Sequence, residues 1–452
     1  MRKFSYFILG IILLFVAIFV ITPYFIGAQL QKHVNQHIVK LEHQHPAISI
    51  TVDHYNRHWF SSDINFTVNY RVPFIFSGLR PGNPISLKFN AHIEHGPIIS
   101  YTVDGKKIHQ LGNSAIFLTN PKMQGEIISI INWRHHIHTV FEVEHFTHQS
   151  NTTSITIKNL NGYLDFNHMT QHIDYDIKIG HFKNIASLLP NVHDAISTAN
   201  SELKGSATKH DGLWVGKTTF KRENTRLARN NTLAVDVKDL TGTINSHIDD
   251  DRVGYQVHIT AADVALAGQQ LGALSFMANL NNVNAKIFSQ LIDTTIRLHK
   301  QNTSLSDLAK AYQLIFSLTE KGLTFNIQNF SLSLPDSSPI SLTASLQFIA
   351  APQGTNFLNA LKYMSANAQL NIPREFVQQQ LTEYFQNMLV KTNPKNSLSA
   401  NARAHQTIQQ WINNQLVIPQ NDSLHTSISI KEGNLLVNDK KPNFEAVMTN
   451  LY

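Results

Sequence analysis

The chain has no cysteine in 452 residues. That excludes disulfides and every metal site of thiolate type. Charge is also scarce, with Asp, Glu, Lys and Arg making up 15% of residues. The polar surface must therefore come largely from Asn, Gln, Ser, Thr and the 24 histidines. The net charge of +6 is spread along the chain. Without a basic stripe or a recognition motif, nucleic acid is not an expected partner. The densest basic stretch joins Arg222, Arg226 and Arg229 with Lys217 and Lys221. It reads as a solvated strand edge, with an anionic lipid or glycolipid contact as the functional alternative. Catalytic signatures are missing as well: no Gly-x-Ser-x-Gly elbow, no His-Glu-x-x-His and no glycine-rich dinucleotide loop. Gly212–Thr218 looks like a phosphate loop, but Asp211 stands where that motif needs its first glycine.

What the chain does have is one long uncharged run, Phe4 to Gln31, between Arg2–Lys3 and Lys32. About twenty apolar residues suffice to cross a bilayer as a helix. The run is longer than the apolar core of a cleaved leader, and it offers only Gly27 and Ala28 as small residues near its end. An uncleaved signal anchor is therefore expected over 1–31. Arg2 and Lys3 hold the amino terminus in the cytoplasm by the positive-inside rule, which exports the rest of the chain. A juxtamembrane helix follows over 32–46, with Leu30, Val34, Ile38 and Leu41 at helical spacing and Pro46 as its stop.

From residue 47 the periodicity changes to two. Ile64, Phe66, Val68 and Tyr70 alternate with polar residues, as do Ile340, Leu342, Ala344, Leu346 and Phe348. Such strands bury one face only. Pro335–Pro339 is expected to join a hairpin over 330–349. Before it, the alternation changes phase between Ile327 and Phe330, which calls for one extra residue, a β-bulge, near Gln328–Asn329. Helical spacing predicts helices over 185–199, 284–299, 304–320, 355–366, 373–391 and 402–415. A weak repeat links Ile157–Leu164 to Val237–Ile244, about eighty residues apart by inspection of the sequence.

His136 and His138, followed by His145 and His148, would share strand faces. They read as polar sheet residues, with a zinc or copper site as the alternative. Asp249–Asp251 reads as a solvated turn, with calcium as the alternative. No catalytic, cofactor-binding or metal-ligating residue is assigned.

Two blocks stand out: Tyr55-Asn-Arg-His-Trp-Phe-Ser-Ser-Asp63 and His95-Gly-Pro97. Together with the N-terminal run they resemble the YdgA-like bacterial family, which carries a domain of unknown function. Leu370–Val377 is similar to that family's entry to a late helix, and Ile430–Asn438 to its closing hairpin. The resemblance implies a periplasmic protein anchored in the inner membrane, with no agreed activity and hence no catalytic residue to carry over. The block residues Tyr55, Arg57, Trp59, Phe60, Ser61, His95, Gly96 and Pro97 read as structural, with a binding role for Arg57 and His95 as the alternative. Arg57 is expected to stack on Tyr55 or Trp59.

The expected architecture is a β-rich α+β protein. An N-terminal transmembrane helix leads into a long, mostly antiparallel curved sheet over 47–452, partly covered by amphipathic helices, with a sub-boundary near 300–320. The expected partners are the inner membrane through residues 4–30 and a lipid or envelope protein. The expected role is non-enzymatic binding or envelope maintenance, set against a hydrolase with a dispersed site.

Overall fold

The computed structural model describes residues 22–442, omitting chiefly 43–47, 71–84, 299–304, 349–360, 392–398 and scattered shorter positions. The chain falls into two compact units, 1–234 with 292–311, and 235–291 with 312–452.

The first unit is an antiparallel meander. A helix, α1, occupies residues 22–32. The strands are β1 (Ile48–Arg57), β2 (Ser61–Tyr70), β3 (Ile85–His95), β4 (Ile98–Val103), β5 (Lys106–Leu111), β6 (Ser114–Thr119) and β7 (Met123–Ile131). Five longer ones follow: β8 (His136–Gln149), β9 (Thr153–Asn167), β10 (His172–Leu189), β11 (Val192–His210) and β12 (Leu213–Arg229). They pair in sequence order, except that β4 and β5 form their own hairpin and β3 pairs directly with β6.

Two small cores lie on opposite faces near the start of the sheet. Strand alternation puts Ile64, Ala91 and Ile93 on one face, where Leu30 and Val34 at and beyond the end of α1 pack on them. Ala115, Ile128 and Ile130 face the other way and pack with Ile99 of β4.

Further along, the faces of β8–β12 differ sharply. One cross-strand row reads Phe141, Gly162, Ile177, Leu203, Phe220, and the next Val143, Leu160, Ile179, Ser201, Arg222. The opposite face carries ion pairs: His138 Nδ1 to Asp165 at 2.6 Å, Lys204 to Asp176 at 3.5 Å and Lys178 to Glu202 at 3.8 Å. Between the rows through Val143 and His145 the ladders skip the residues Glu144, Asn159, Gly180, Asn200 and Glu223. Asn159 and Asn200 there have φ of 53° and 45°. A Cβ on Gly180 would stand 3.0 Å from that of Asn159. All five strands therefore change phase along one line, and Phe146, Ile157 and Phe182 take up the apolar pattern beyond it.

The second unit opens with β13 (Thr232–Asp249) and continues with β14 (Arg252–Leu266) and β15 (Gln269–Asn284). After α2 (Ala285–Leu298) and α3 (Leu305–Glu320), whose residues 292–311 belong to the first unit, come β16 (Thr324–Leu334), β17 (Ser337–Phe348) and β18 (Met364–Pro373). Then α4 (Arg374–Lys391) and α5 (Ala400–Asn413) precede β19 (Ile418–Gln420), β20 (Ser423–Lys431) and β21 (Asn434–Val437). Pairing is again antiparallel, with β18 next to β20 and both β19 and β21 against β20. The expected bulge is present: Ile327 opposes Ala344 but Phe330 opposes Leu342, so β16 carries one extra residue. Asp239 of β13 has φ of 49°. It matches Asn159 in the repeat, so the two similar segments share the same backbone turn inside a strand.

The expected architecture needs correcting. No described helix is long and apolar enough to cross a membrane, so the expected transmembrane helix is not among the described elements. Residues 1–21, most of the uncharged run, lie outside the described residues. Nor is the expected helical cover of the sheet supported among the described residues. α4 packs chiefly against α5 and meets the end of β18, while β8–β12 have their substantial contacts with neighbouring strands. The span read as a helix over 185–199 is strand: Ile185 pairs with Ala195 across the β10–β11 turn. Of 355–366, the described part is a 3-10 turn at Leu361–Tyr363 and then β18. In both places apolar residues at helical spacing were outweighed by non-local pairing.

Left-handed backbone is tolerated by Asn and Gly but costs other residues roughly 1–2 kcal/mol each. Asn159→Gly and Asn200→Gly should unfold in urea near the wild-type midpoint, whereas Asn159→Val should lose at least that much. Equal stability of the valine variant would refute the left-handed assignment.

Candidate functional site

The β1–β2 turn, the end of β3 and the start of α1 meet in the first unit. The turn is closed by the His58 amide donating to the Ser61 carbonyl at 2.8 Å, and the His95 amide donates to the Phe60 carbonyl at 2.9 Å. This brings the two sequence blocks together around a cavity of about 400 Å³, lined by Pro23, Phe60, Ser61, His92, Glu94, His95, Gly96 and Ile98.

His95 is the buried centre, 3% exposed, and Ser62 beside it is fully buried. Ser62 Oγ lies 3.2 Å from His95 Nε2. Nδ1 of His95 is sealed without a hydrogen-bond partner. Burial holds the imidazole below its ordinary value, nearby carbonyls of Ser61 and Pro23 oppose this, and the charge of Arg57 reinforces it. His95 is therefore a neutral imidazole under α1.

α1 fits this spot because of two residues. Pro23 is fully buried. Gly27 faces the His95 ring so closely that a Cβ there would stand 2.7 Å from Cε1. Arg57 Nη2 donates to the Tyr24 hydroxyl at 3.2 Å, and the guanidinium lies 4.7 Å over the Tyr24 ring. Trp59 packs on that same ring at 5.1 Å, tilted by 40°. Arg57 thus stacks on Tyr24 rather than on Tyr55 or Trp59. Tyr55 points into the core with Ile64, Ala91 and Ile93. Gly96 has Pro23 Cγ 3.6 Å from the place of its missing Cβ. Pro97 lies outside the described residues.

On the outer side, Asp63 bridges two imidazoles, His92 Nδ1 at 2.7 Å and His58 Nε2 at 3.2 Å. The His92 hydrogen bond, then the His92 charge and His58, lower the Asp63 carboxyl against the opposing effect of burial.

Chemically, Ser62 and His95 have the spacing of a nucleophile and its base. Yet the serine has no exposed surface, no carboxylate orients Nδ1, and α1 lies over the ring. The arrangement is a socket for a helix. His136 and His138 both turn to Asp165, at 3.7 and 2.6 Å. Asp251 accepts from Asn284 at 2.7 Å at the start of α2. Among the described residues no group of three His, Asp or Glu side chains is placed to hold a metal ion.

Sequence reading missed Pro23, Tyr24, Gly27, Ser62, Asp63 and His92 as members of this site. Gly27 carried a signal, a glycine in an otherwise helical run. Ser62 and Asp63 lay inside the Tyr55–Asp63 block without being singled out, and Pro23, Tyr24 and His92 had no local mark, because their partners lie far away in sequence.

The fold and socket define a class: an antiparallel β meander whose first strands clamp an N-terminal helix. Residues 1–445 match the family described as bacterial protein of unknown function (DUF945), and the chain belongs to that family. No curated protein and no solved structure matches it.

Gly27→Val should force the helix from the ring and cost about 1–3 kcal/mol in a melt, the usual range for overpacking. Adding His95→Ala should recover part of the loss, and strict additivity in that double-mutant cycle would show that the two residues do not touch. A second expectation concerns pH. A histidine with a lowered folded value contributes stability fully above its free value of about 6.5, and that stability is lost as pH falls through the folded value. Helix docking should therefore weaken below about pH 6.5, and His95→Phe should flatten the profile there. Asp63, also lowered, acts in the same sense but in the more acidic carboxylate range.

Proposed function

We propose that the protein is a non-enzymatic binding protein of the bacterial cell envelope, held at the inner membrane by its first thirty residues with both β units in the periplasm. Within its family we group it with the YdgA-like proteins, on the Tyr55–Asp63 and His95–Pro97 blocks. Its ligand is apolar, a lipid whose acyl chains lie on the sheet. The observation that carries this reading is the apolar face of β8–β12. Phe141, Leu164, Ile173, Ile177 and Phe220 are only half-buried there, and Leu203 is 40% exposed. Trp214 edges onto Phe166 at 6.3 Å beside them. An apolar sheet face normally packs against another layer, and an extended exposed one marks a contact surface. The hydrolase reading would rest on Ser62 and His95, which no substrate reaches while α1 is seated.

Lipids bound to the detergent-extracted full chain can be read by mass spectrometry. Leu203→Asp and Ile177→Asp should each lose a lipid class that the parent chain retains, at unchanged melting temperature. Identical lipid profiles in parent and variants would defeat the binding role. A C-terminal alkaline phosphatase fusion should be active, and an inactive fusion would defeat the periplasmic placement.

A further inference from the structure

Beside the socket is a cluster of apolar side chains that face solvent. Phe25 is 62% exposed, Phe60 54%, Ile98 54%, Trp59 49% and Tyr24 39%. Single exposed apolar residues are ordinary on any protein surface, but these five come from three elements and converge. Tyr24 packs against Trp59 in a tilted pair at 5.1 Å and meets Phe25 edge-on at 6.0 Å. Phe60 and Ile98 line one cavity with Pro23, the residue before Tyr24. Arg57 places its guanidinium against the Tyr24 hydroxyl at the same spot.

The position of the cluster in the chain identifies its occupant. Tyr24 and Phe25 lie inside the uncharged run Phe4–Gln31, toward its end. The turn bearing Trp59 and Phe60 is held to them by contacts that bridge some thirty-five residues of sequence. Trp and Tyr, with an apolar body and a polar edge, favour the boundary between lipid headgroups and acyl chains. An arginine at that depth meets lipid phosphate. Of the acidic side chains nearby, Glu94 lines the cavity with Phe60 and Ile98, and Asp63 is engaged by His58 and His92.

We propose that Tyr24, Phe25, Trp59, Phe60 and Ile98 form a collar that seats the first β unit on the bilayer interface, with Arg57 toward lipid phosphate. This rests on the reading that the N-terminal residues hold the chain at a membrane. It adds that the folded domain itself touches the lipid, through the β1–β2 turn. The motif residues Trp59 and Phe60 are then membrane contacts, and Arg57 ties that turn to α1.

The test uses the full chain reconstituted in vesicles of equal parts phosphatidylglycerol and phosphatidylethanolamine. The lipids are brominated either near the headgroup or at the chain end. With Trp133, Trp214 and Trp411 replaced by Phe, the remaining Trp59 emission should be quenched strongly by the shallow bromines and little by the deep ones. Trp59→Phe in the parent chain should remove that shallow quenching, and Phe60→Asp with Ile98→Asp should weaken it. Vesicle flotation separates the two readings. A chain that does not float with the vesicles overturns both. A chain that floats while Trp59 is quenched by neither lipid overturns the collar alone.

Discussion

Hydrogen bonding between long neighbouring strands is the constraint on which this structure rests. Among the described residues, buried apolar side chains of the first unit form two small clusters on opposite faces. β9–β12 each run for 15 to 19 residues, and register along them is kept by continuous ladders. A one-residue slip would exchange the apolar and ionic faces of such a strand. The ion pairs on one face and the apolar rows on the other therefore specify the same register from two sides. The phase change at Asn159 and Asn200 obeys this logic. Because every strand from β8 to β12 gives up a ladder pair at the same row, the sheet changes direction without losing register.

This explains how much could be read from the sequence. The hairpin over 324–348 and its extra residue were legible because alternation is a local signal and a phase change within it has one simple cause. The helices at 285–298, 305–320, 374–391 and 400–413 were legible for the same reason, each having an unbroken run at one spacing. The segment 185–199 was misread because Ile185, Leu188, Leu189 and Ile196 fit a helix locally. Only the pairing of β10 with β11 decides the matter, and that pairing extends through fifteen further positions of both strands. The long uncharged run at the start suggested a spanning helix; residues 1–21 lie outside the described residues, and the helix described over 22–32 carries Gln29, Gln31 and Lys32.

The site was half legible. Tyr55–Asp63 and His95–Pro97 stood out as blocks, and the structure brings them together through the β2–β3 ladder, in which Ser61 faces Glu94. What they enclose could not be read, since Gly27 and Tyr24 belong to a stretch whose composition speaks only of apolarity. Gly27 looked like a small residue near a cleavage point. In the structure it is the one position where the helix backbone comes against an imidazole.

That contact bears on how the molecule can be divided. It is common to treat an N-terminal leader and the domain behind it as separable cassettes, one for address and one for work. Here Leu30 and Val34 close the core over Ile64 and Ile93, while Pro23 and Gly27 roof His95. Cutting the chain between helix and first strand to obtain a water-soluble version would remove a wall of the domain, uncover a buried imidazole and lay bare an aliphatic floor. The helix α1 is part of this protein's architecture, and any cut that removed it would release an altered fold rather than a trimmed one.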